Sequence, residues 1–436
     1  MSESPPTADA KKSWKSTVKH SVLSDIGMRR AINQDSYAIV LADTQNSWEK
    51  YGHLFIVADG MGAHAAGELA SKLSVELIPH HYFKLRDQPP AESLHQSILN
   101  ANAEIFRRGQ ANIEFRSMGT TCSTLTLAPE GAVVAHVGDS RVYQMRGDQL
   151  FQLTFDHSLV WEMQAAGELT DETARSGVIP KNVITRSLGP NANVQIDLEG
   201  PFPVKRGDVF LLCSDGLSGQ VSDEELASIL SALPPQPACQ LLIDLSNLRG
   251  GPDNITAIVV EVAEDSICSA QPGAIAARWN GAPRTFSPAL GIVAAVCISA
   301  AGLLCLLGNI PLGVVAAVLG IIALGTGLVQ VLWNGNSPAD AHGRYGQGPH
   351  RQFKAGNQPL FEQLAGTMKS LREASEERGW KIQWDLLEGQ FEKAKQHAAA
   401  GNFKQAVATQ GKVIIELMKQ IRGQRDTPAS DSAIDL

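Results

Sequence analysis

No two of the six cysteines (Cys122, Cys213, Cys239, Cys268, Cys297 and Cys305) form a Cys-x-x-Cys pair, so the chain carries neither a zinc-ribbon spacing nor a disulfide framework. They are expected to be reduced, mostly buried thiols. Basic residues are in deficit: 37 Lys and Arg stand against 45 Asp and Glu, a formal charge of −8. The basic footprint of a nucleic-acid binder is missing, and no nucleic-acid partner is expected. The N-terminus, MSESPPTADAKKSWKSTVKH, lacks the apolar core of a signal peptide, and 1–17 reads as a disordered lead-in. One long stretch lacks charge altogether: from Pro288 to Trp333 there is no Asp, Glu, Lys or Arg.

That charge-free stretch is too long for a core helix. A bilayer core of roughly 30 Å is crossed by about 20 apolar residues as helix. The stretch divides at Gly308-Asn309-Ile310-Pro311 into two such runs, 288–307 and 311–333. A transmembrane helical hairpin over 288–333 is the expectation. Its flanks carry Arg278, Arg284, His342, Arg344 and Arg351, while the turn is neutral. This asymmetry places both large flanking parts in the cytoplasm, at the cell (inner) membrane, with Trp279 and Trp333 near the interface.

The remaining chain divides around the hairpin. Residues 18–265 show mixed strand and helix patterns, 266–287 form an Ala-, Pro- and Gly-rich linker, and 334–356 form a polar one. From 357 to 423 the pattern is helical, with Leu360, Leu364, Met368 and Leu371 at helical spacing. Ile382, Leu386, Gln390 and Ala394 follow in part, then Val407, Val413, Ile414 and Met418. Gly401, Phe403 and Ala406 stand in the order of a tetratricopeptide turn, but one partial repeat builds no solenoid, and a small helical hairpin or bundle is expected. Its Lys- and Glu-rich surface reads as solvated, with room for a protein partner.

Within 18–265, short apolar runs repeatedly end at an acid. HLFIVAD stops at Asp59, GAVVAHVGD at Asp139 and DVFLLCSD at Asp215, while Asp253 stands just before ITAIVVEV. Glycine flanks or nearly flanks each acid. Rigid strand ends supply carboxylates in fixed positions, and glycine lets backbone approach closely. Hard divalent cations such as magnesium and manganese take oxygen donors of this kind.

With these blocks in view the chain resembles the metal-dependent serine/threonine protein phosphatases of type 2C, in their bacterial form. SDIGMRRAINQDS (24–36), VADGMGAHAAGELAS (57–71), MGTTCSTLTL (118–127) and AHVGDSRVYQMRGDQL (135–150) run in the family's order. LTFDHSLVWEMQAAGELT (153–170), VITRSLG (183–189), DVFLLCSDGLSGQVSDEEL (208–226) and GGPDNITAIVVEV (250–262) complete them. The resemblance covers residues 18–263. It implies an α+β fold, a four-layer α-β-β-α sandwich of two antiparallel sheets, here followed by two transmembrane helices and a small all-α cytoplasmic region.

It also implies two Mn2+ or Mg2+ ions per site. Asp59 would bridge both, the Gly60 carbonyl would bind one, and Asp215 and Asp253 would hold the other. Asp139 would hold a third, weaker ion with Asp215, and Asp35 would position metal-held water. Hydroxide between two dications would attack phosphorus in line, which fits the absence of a Cys-x5-Arg loop. Arg30 would grip the substrate phosphate through a bidentate fork. Gln34 replaces the family's usual Glu and removes one negative charge. Met61 stands where eukaryotic relatives carry His, Ala63 where bacterial members have Gly, and His64 reads as structural. The segment from Asp156 to Gly189 corresponds to the family's flap beside the metals.

The expected function is a membrane-anchored protein serine/threonine phosphatase acting on phosphorylated proteins, kinase substrates or kinases. Two alternatives stand beside it. One is an inactive phosphatase-fold scaffold or sensor; the other is a phosphatase dedicated to a phosphorylated anti-sigma-antagonist regulator.

Overall fold

The computed structural model describes residues 13–62, 65–85, 88–170, 173, 179–180, 183–269, 288–308, 310–312, 314–318 and 348–425. The chain divides into two compact units: Met1–Gly273 together with Gly346–Leu436, and Ala274–Tyr345.

Two antiparallel sheets build the first unit. In one, the order is β1 (Val18–Asp25), β11 (Ile255–Val262), β10 (Val209–Cys213), β7 (Arg141–Arg146), β8 (Gln149–Gln152) and β12 (Arg351–Lys354). In the other it is β2 (Asp35–Val40), β3 (His53–Met61), β5 (Cys122–Ala128), β6 (Gly131–Val137) and β9 (Asp197–Phe202), with β4 (Gly119–Thr120) beside the end of β3.

Strand periodicity decides which side chains face which layer. In β10, Phe210 and Leu212 meet Phe55, Val57 and Leu125 between the sheets, while Leu211 and Cys213 face the helices behind. In β11, Ile258 and Val260 point inward and Ala257 and Val259 outward. Both faces are buried, which is why ITAIVVEV reads as a continuous apolar run rather than an alternation. Each of the Phe, Leu, Ile and Val side chains among them contributes roughly 1.5–3 kcal/mol on burial.

Helices cover both outer faces. On the β3 side, α2 (Ala66–Tyr82) packs on the sheet and on α3 (Pro90–Ala111), and α1 (Gln45–Tyr51) lies beside β5. After β8 come α4 (Leu159–Ala165) and, after β10, the short α5 (Asp215–Ser218). On the β10 side lie α6 (Asp223–Ala232) and α7 (Pro235–Leu248). The sequence Ser222-Asp-Glu-Glu225 starts α6 as a reciprocal capping box, each side chain accepting the other's backbone N–H.

The second unit contains α8 (Pro288–Leu306), which takes up most of the first expected run. Among the described residues no helix is long and apolar enough to cross a membrane. The second run, 311–333, is described only as far as 318. The first half of the expected hairpin is thus described and gives no membrane span, while most of the second half lies outside the described residues.

The C-terminal region departs from the expectation. The stretch 334–356 does not end as a linker: Arg351–Lys354 is strand β12, paired with β8 from Arg351 opposite Gln152 to Lys354 opposite Gln149. Three helices follow, α9 (Asn357–Glu377), α10 (Trp384–Ala399) and α11 (Phe403–Arg425). They form a bundle, as the spacing predicts, but not a freestanding one. Leu360, Leu364, Val407 and Ile414 enter the same core as Leu226, Leu241 and Leu245 of α6 and α7. A second layer (Met368, Leu371, Leu387, Val413, Leu417 and Ile421) holds the three helices together. In α10 the buried stripe runs through Leu387 and Ala394, so the expected spacing holds at Ala394 and fails at Leu386, which is 66% exposed. Gly401, with φ +77°, makes the turn into α11 that the repeat-like motif marks.

Candidate active site

The acids gather because strand ends and close backbone packing bring them together. Asp35 opens β2 directly opposite Asp59 in β3. Asp215 opens α5 straight after β10, and Asp253 precedes β11. Gly216 explains how these last two become neighbours: a Cβ there would lie 2.0 Å from the carbonyl oxygen of Asn254. Only glycine lets the α5 turn sit against the Asp253–Asn254 backbone. Gly60 is required for a similar reason, since its Cβ would fall 2.1 Å from the Gly67 carbonyl at the start of α2.

Asp35 and Asp139 are buried, while Asp59, Asp215 and Asp253 are half-buried. Burial pushes the Asp35 carboxyl up to about 7, against a hydrogen bond from Ser214 that favours its charged form, with Asp215 and Asp253 adding repulsion. Asp59 is raised well above the carboxylate range by burial, then by Asp35, Asp215, Asp139 and Asp253. Asp215 is raised by burial and then by the charge of Asp253. Asp139 is raised by burial and then by Asp215 and Asp156. The acids thus feel one another strongly.

Arg30 reaches the same place. Its Nη2 donates to Asp253 Oδ2 at 2.7 Å, and 48% of its side chain stays exposed. The Asp253 hydrogen bond raises its pKa, with the Asp59 and Asp215 charges adding to it.

Several residues that the sequence reading left without a role hold this arrangement. The Asn254 side chain accepts from Gln34 N at 2.8 Å and donates to the carbonyls of Ile26 and Ile32, pinning the loop that carries Arg30. Ser214 Oγ donates to Asp35 Oδ2 at 2.7 Å and accepts from Thr256 N, tying the two sheets together at the acids. Asp59's backbone is fixed by Thr120 and Thr121 through Oγ1 and N–H bonds of 2.8–2.9 Å. The signal for these lay in MGTTC, CSD and PDN, as polar residues adjoining the acids. Gln34 is buried with its amide facing the Gly62 carbonyl at 3.5 Å. Ala63 and His64 lie outside the described residues.

Among the described residues no three Asp, Glu, His or Cys side chains close on one point as a metal-binding group. The chemistry of the donors nonetheless fits hard divalent cations. Every candidate side chain is a carboxylate, and the buried oxygens Asp35 Oδ1, Asp139 Oδ1 and Asp215 Oδ1 have no hydrogen-bond partner. Unpartnered buried carboxylate oxygens are costly unless a cation or water takes them up.

Comparison with known proteins identifies the fold's relatives. Residues 28–237 match the family model described as protein phosphatase 2C. A protein phosphatase 2C-type protein of Streptococcus pyogenes is 38% identical over 258 residues, which cover 57% of this chain and 99% of the relative. Protein phosphatase PhpP of Streptococcus pneumoniae is 34% identical over 249 residues, 56% of this chain and 98% of the relative. A solved structure, the catalytic domain of the serine threonine protein phosphatase PstP in complex with 2 manganese ions, is 31% identical. It covers 57% of this chain and 99% of its own, with a TM-score of 0.48. With 98–99% of the two streptococcal relatives' length covered, the chain belongs to the protein phosphatase 2C family and is a protein phosphatase.

Proposed function

We propose that this chain hydrolyses phosphoserine and phosphothreonine on proteins, using the cluster of Asp35, Asp59, Asp139, Asp215 and Asp253, with Gly60, to hold Mn2+ or Mg2+ ions. The observation that carries this reading is the meeting of mutually repelling carboxylates with one half-exposed guanidinium at the ends of both sheets. When bound, a pair of divalent cations supplies an acidified water and neutralises charge at phosphorus. Asp59, Asp215 and Asp253 with the Gly60 backbone would hold the pair, and Asp139 with Asp215 a third ion.

The protein's own groups do the rest. Arg30, anchored on Asp253, presents its fork to phosphate oxygens. Ser214 keeps one Asp35 oxygen engaged and leaves the other, Oδ1, to orient water. Asn254 holds the Arg30 loop in register with the acids.

The reading extends to the membrane. The charge-free stretch 288–333 and its basic flanks support anchoring, with the catalytic and C-terminal parts cytoplasmic. Outward-facing Val296, Leu303, Leu306, Leu307 and Ile310, each at least 60% exposed, are side chains that lipid would take up.

The test is hydrolysis of a phosphothreonine peptide by the full chain with manganese, with EDTA, and with Asp59→Ala. Manganese-dependent turnover that EDTA and the substitution abolish is expected. Folded protein that binds manganese yet turns over none of several phosphopeptides would sink the reading and favour a scaffold. Partition of the chain into membrane vesicles, lost on deleting 288–333, tests the anchor.

A further inference from the structure

The stretch Gly348–Lys354 does more than complete a sheet edge. Gly348 N donates to Glu199 Oε2 at 2.8 Å, and His350 Nε2 lies 2.8 Å from Glu199 Oε1, a carboxylate fully buried in β9. The His350 backbone N–H donates to the Gln152 carbonyl at 2.9 Å as β12 begins its pairing with β8. Its ring stands edge-on to Phe155 at 5.7 Å, and Phe155 stands edge-on to Trp161 at 5.2 Å. Arg351 lays its guanidinium over the Trp161 ring, 3.8 Å from the centroid, and donates from Nη2 to Gln164 Oε1 at 3.3 Å. One short segment thus grips both sheets and helix α4.

What α4 does next ties it to the acids. Glu162 accepts from Thr185 Oγ1 at 2.7 Å, and Leu159 N donates to the Val183 carbonyl at 2.9 Å. Leu188 then exchanges backbone hydrogen bonds of 2.9 and 3.0 Å with Thr120, whose hydroxyl donates to the Asp59 carbonyl. Just before α4, His157 exchanges bonds of 2.7 and 3.0 Å with the backbone of Gly138, the residue before Asp139. The path from Arg351 to the acids is continuous packing and hydrogen bonding. Downstream of Trp161, residues 165–168 at the end of α4 are exposed.

We propose that Gly348–Lys354 is a strap that sets the position of helix α4, with Arg351 as the positioning residue, so that the surface presented to a substrate protein depends on the C-terminal part of the chain. The inference rests on the phosphatase reading. A planar guanidinium stacked on indole holds orientation in a way a point charge does not. The effect falls on the rim around the site, which a protein substrate must meet and a small aryl phosphate need not.

The test compares the full chain in detergent with Arg351→Ala, Arg351→Lys, Trp161→Ala and the Arg351→Ala/Trp161→Ala pair. Amide hydrogen exchange of residues 159–165 should accelerate about ten-fold in Arg351→Ala, with Arg351→Lys between it and the parent. KM for a phosphothreonine peptide should rise about three- to ten-fold, the size of one lost stacked cation. Turnover of p-nitrophenyl phosphate should stay unchanged. The double variant should match the single ones rather than sum them. A lowered melting temperature with parental α4 exchange and an unchanged KM would overturn the proposal, as would equal losses on both substrates. If the parent shows no metal-dependent turnover of either substrate, the phosphatase reading fails, and α4 exchange alone then decides whether the strap exists.

Discussion

The acid-bearing end of the sandwich and the face that carries the C-terminal helices are built by opposite means. At the acids, glycines bring backbone together so that carboxylates sit closer than they would choose, with buried oxygens unpartnered. At the helical face, Leu360, Leu364, Val407 and Ile414 close over α6 and α7 with side chains fully or nearly fully buried. One region stores electrostatic cost for chemistry; the other supplies the stability that offsets it. Substitutions should therefore trade in opposite currencies at the two places, rate at one and stability at the other.

The largest effect should come from the acids. Asp59→Ala or Asp215→Asn should lower phosphopeptide turnover by about 100- to 1,000-fold, the scale for one preorganised charged group. Melting of the metal-free protein should hold or rise, because a repelled carboxylate is gone. A fall in melting temperature as large as that of a core substitution would break the contrast.

At the other region the expectation reverses. Ile414→Ala or Leu364→Ala should cost about 2–5 kcal/mol of stability, read by denaturant unfolding, with manganese affinity kept. Because these side chains share a core with β10 and β11, the first unit should lose structure in one transition. Two separate transitions would show the C-terminal helices to be an independent module. The same packing bears on truncation: a chain ended near 270 loses β12 and uncovers α6 and α7, so its stability should fall well below that of the full chain.

This contrast also explains what the sequence made legible. Acids at strand ends announce themselves locally, through a short apolar run, an acid and a glycine, and Asp59, Asp139, Asp215 and Asp253 were found that way. The helical faces of 357–423 were equally legible, as Leu360, Leu364, Met368 and Leu371 attest. Their partner was not, because nothing in a helix's period says which surface will cover it. Strand β12 hid for a related reason: RQFK is four residues at a sheet edge, and its meaning lies in Gln149–Gln152, two hundred residues earlier. Arg351 read as a basic flank of the apolar run; its place over Trp161 is a tertiary fact.

A smaller effect should appear in the pH dependence of the metal-free protein. Asp35 binds its proton more tightly folded, at about 7 against an ordinary 3.8. A raised folded pKa contributes stability that is full below the unfolded value and lost as pH climbs to the folded one. In EDTA the melting temperature should therefore fall between about pH 4 and pH 7, and Asp35→Asn should flatten that slope, by on the order of 2 kcal/mol across the window. Saturating manganese should reverse the trend, because cation binding favours the deprotonated acids. An EDTA profile that rises through this window would contradict the crowding of carboxylates.

The smallest effect tests the seam between α7 and the C-terminal helices, within the helical face. Arg422 in α11 pairs through Nη1 with Asp244 in α7, whose side chain is fully buried while Arg422 keeps 40% exposure. Burial raises Asp244 to about 6 even though Arg422 and Gln240 favour its charge, so the pair opposes desolvation without overcoming it. Arg422→Ala removes the only guanidinium bonded to that carboxyl among the described residues. The cost should be about 1–3 kcal/mol above pH 7, where a buried charge is left without its counter-ion and with only the Gln240 amide beside it. Near pH 4 it should shrink, because Asp244 is then protonated in the folded protein with or without Arg422. Asp244→Asn should remove most of the difference at every pH. If Arg422→Ala costs the same at pH 4 and pH 8, the side chain contributes through the packing of its aliphatic stem. The seam would then be held by the same apolar means as the rest of the helical face.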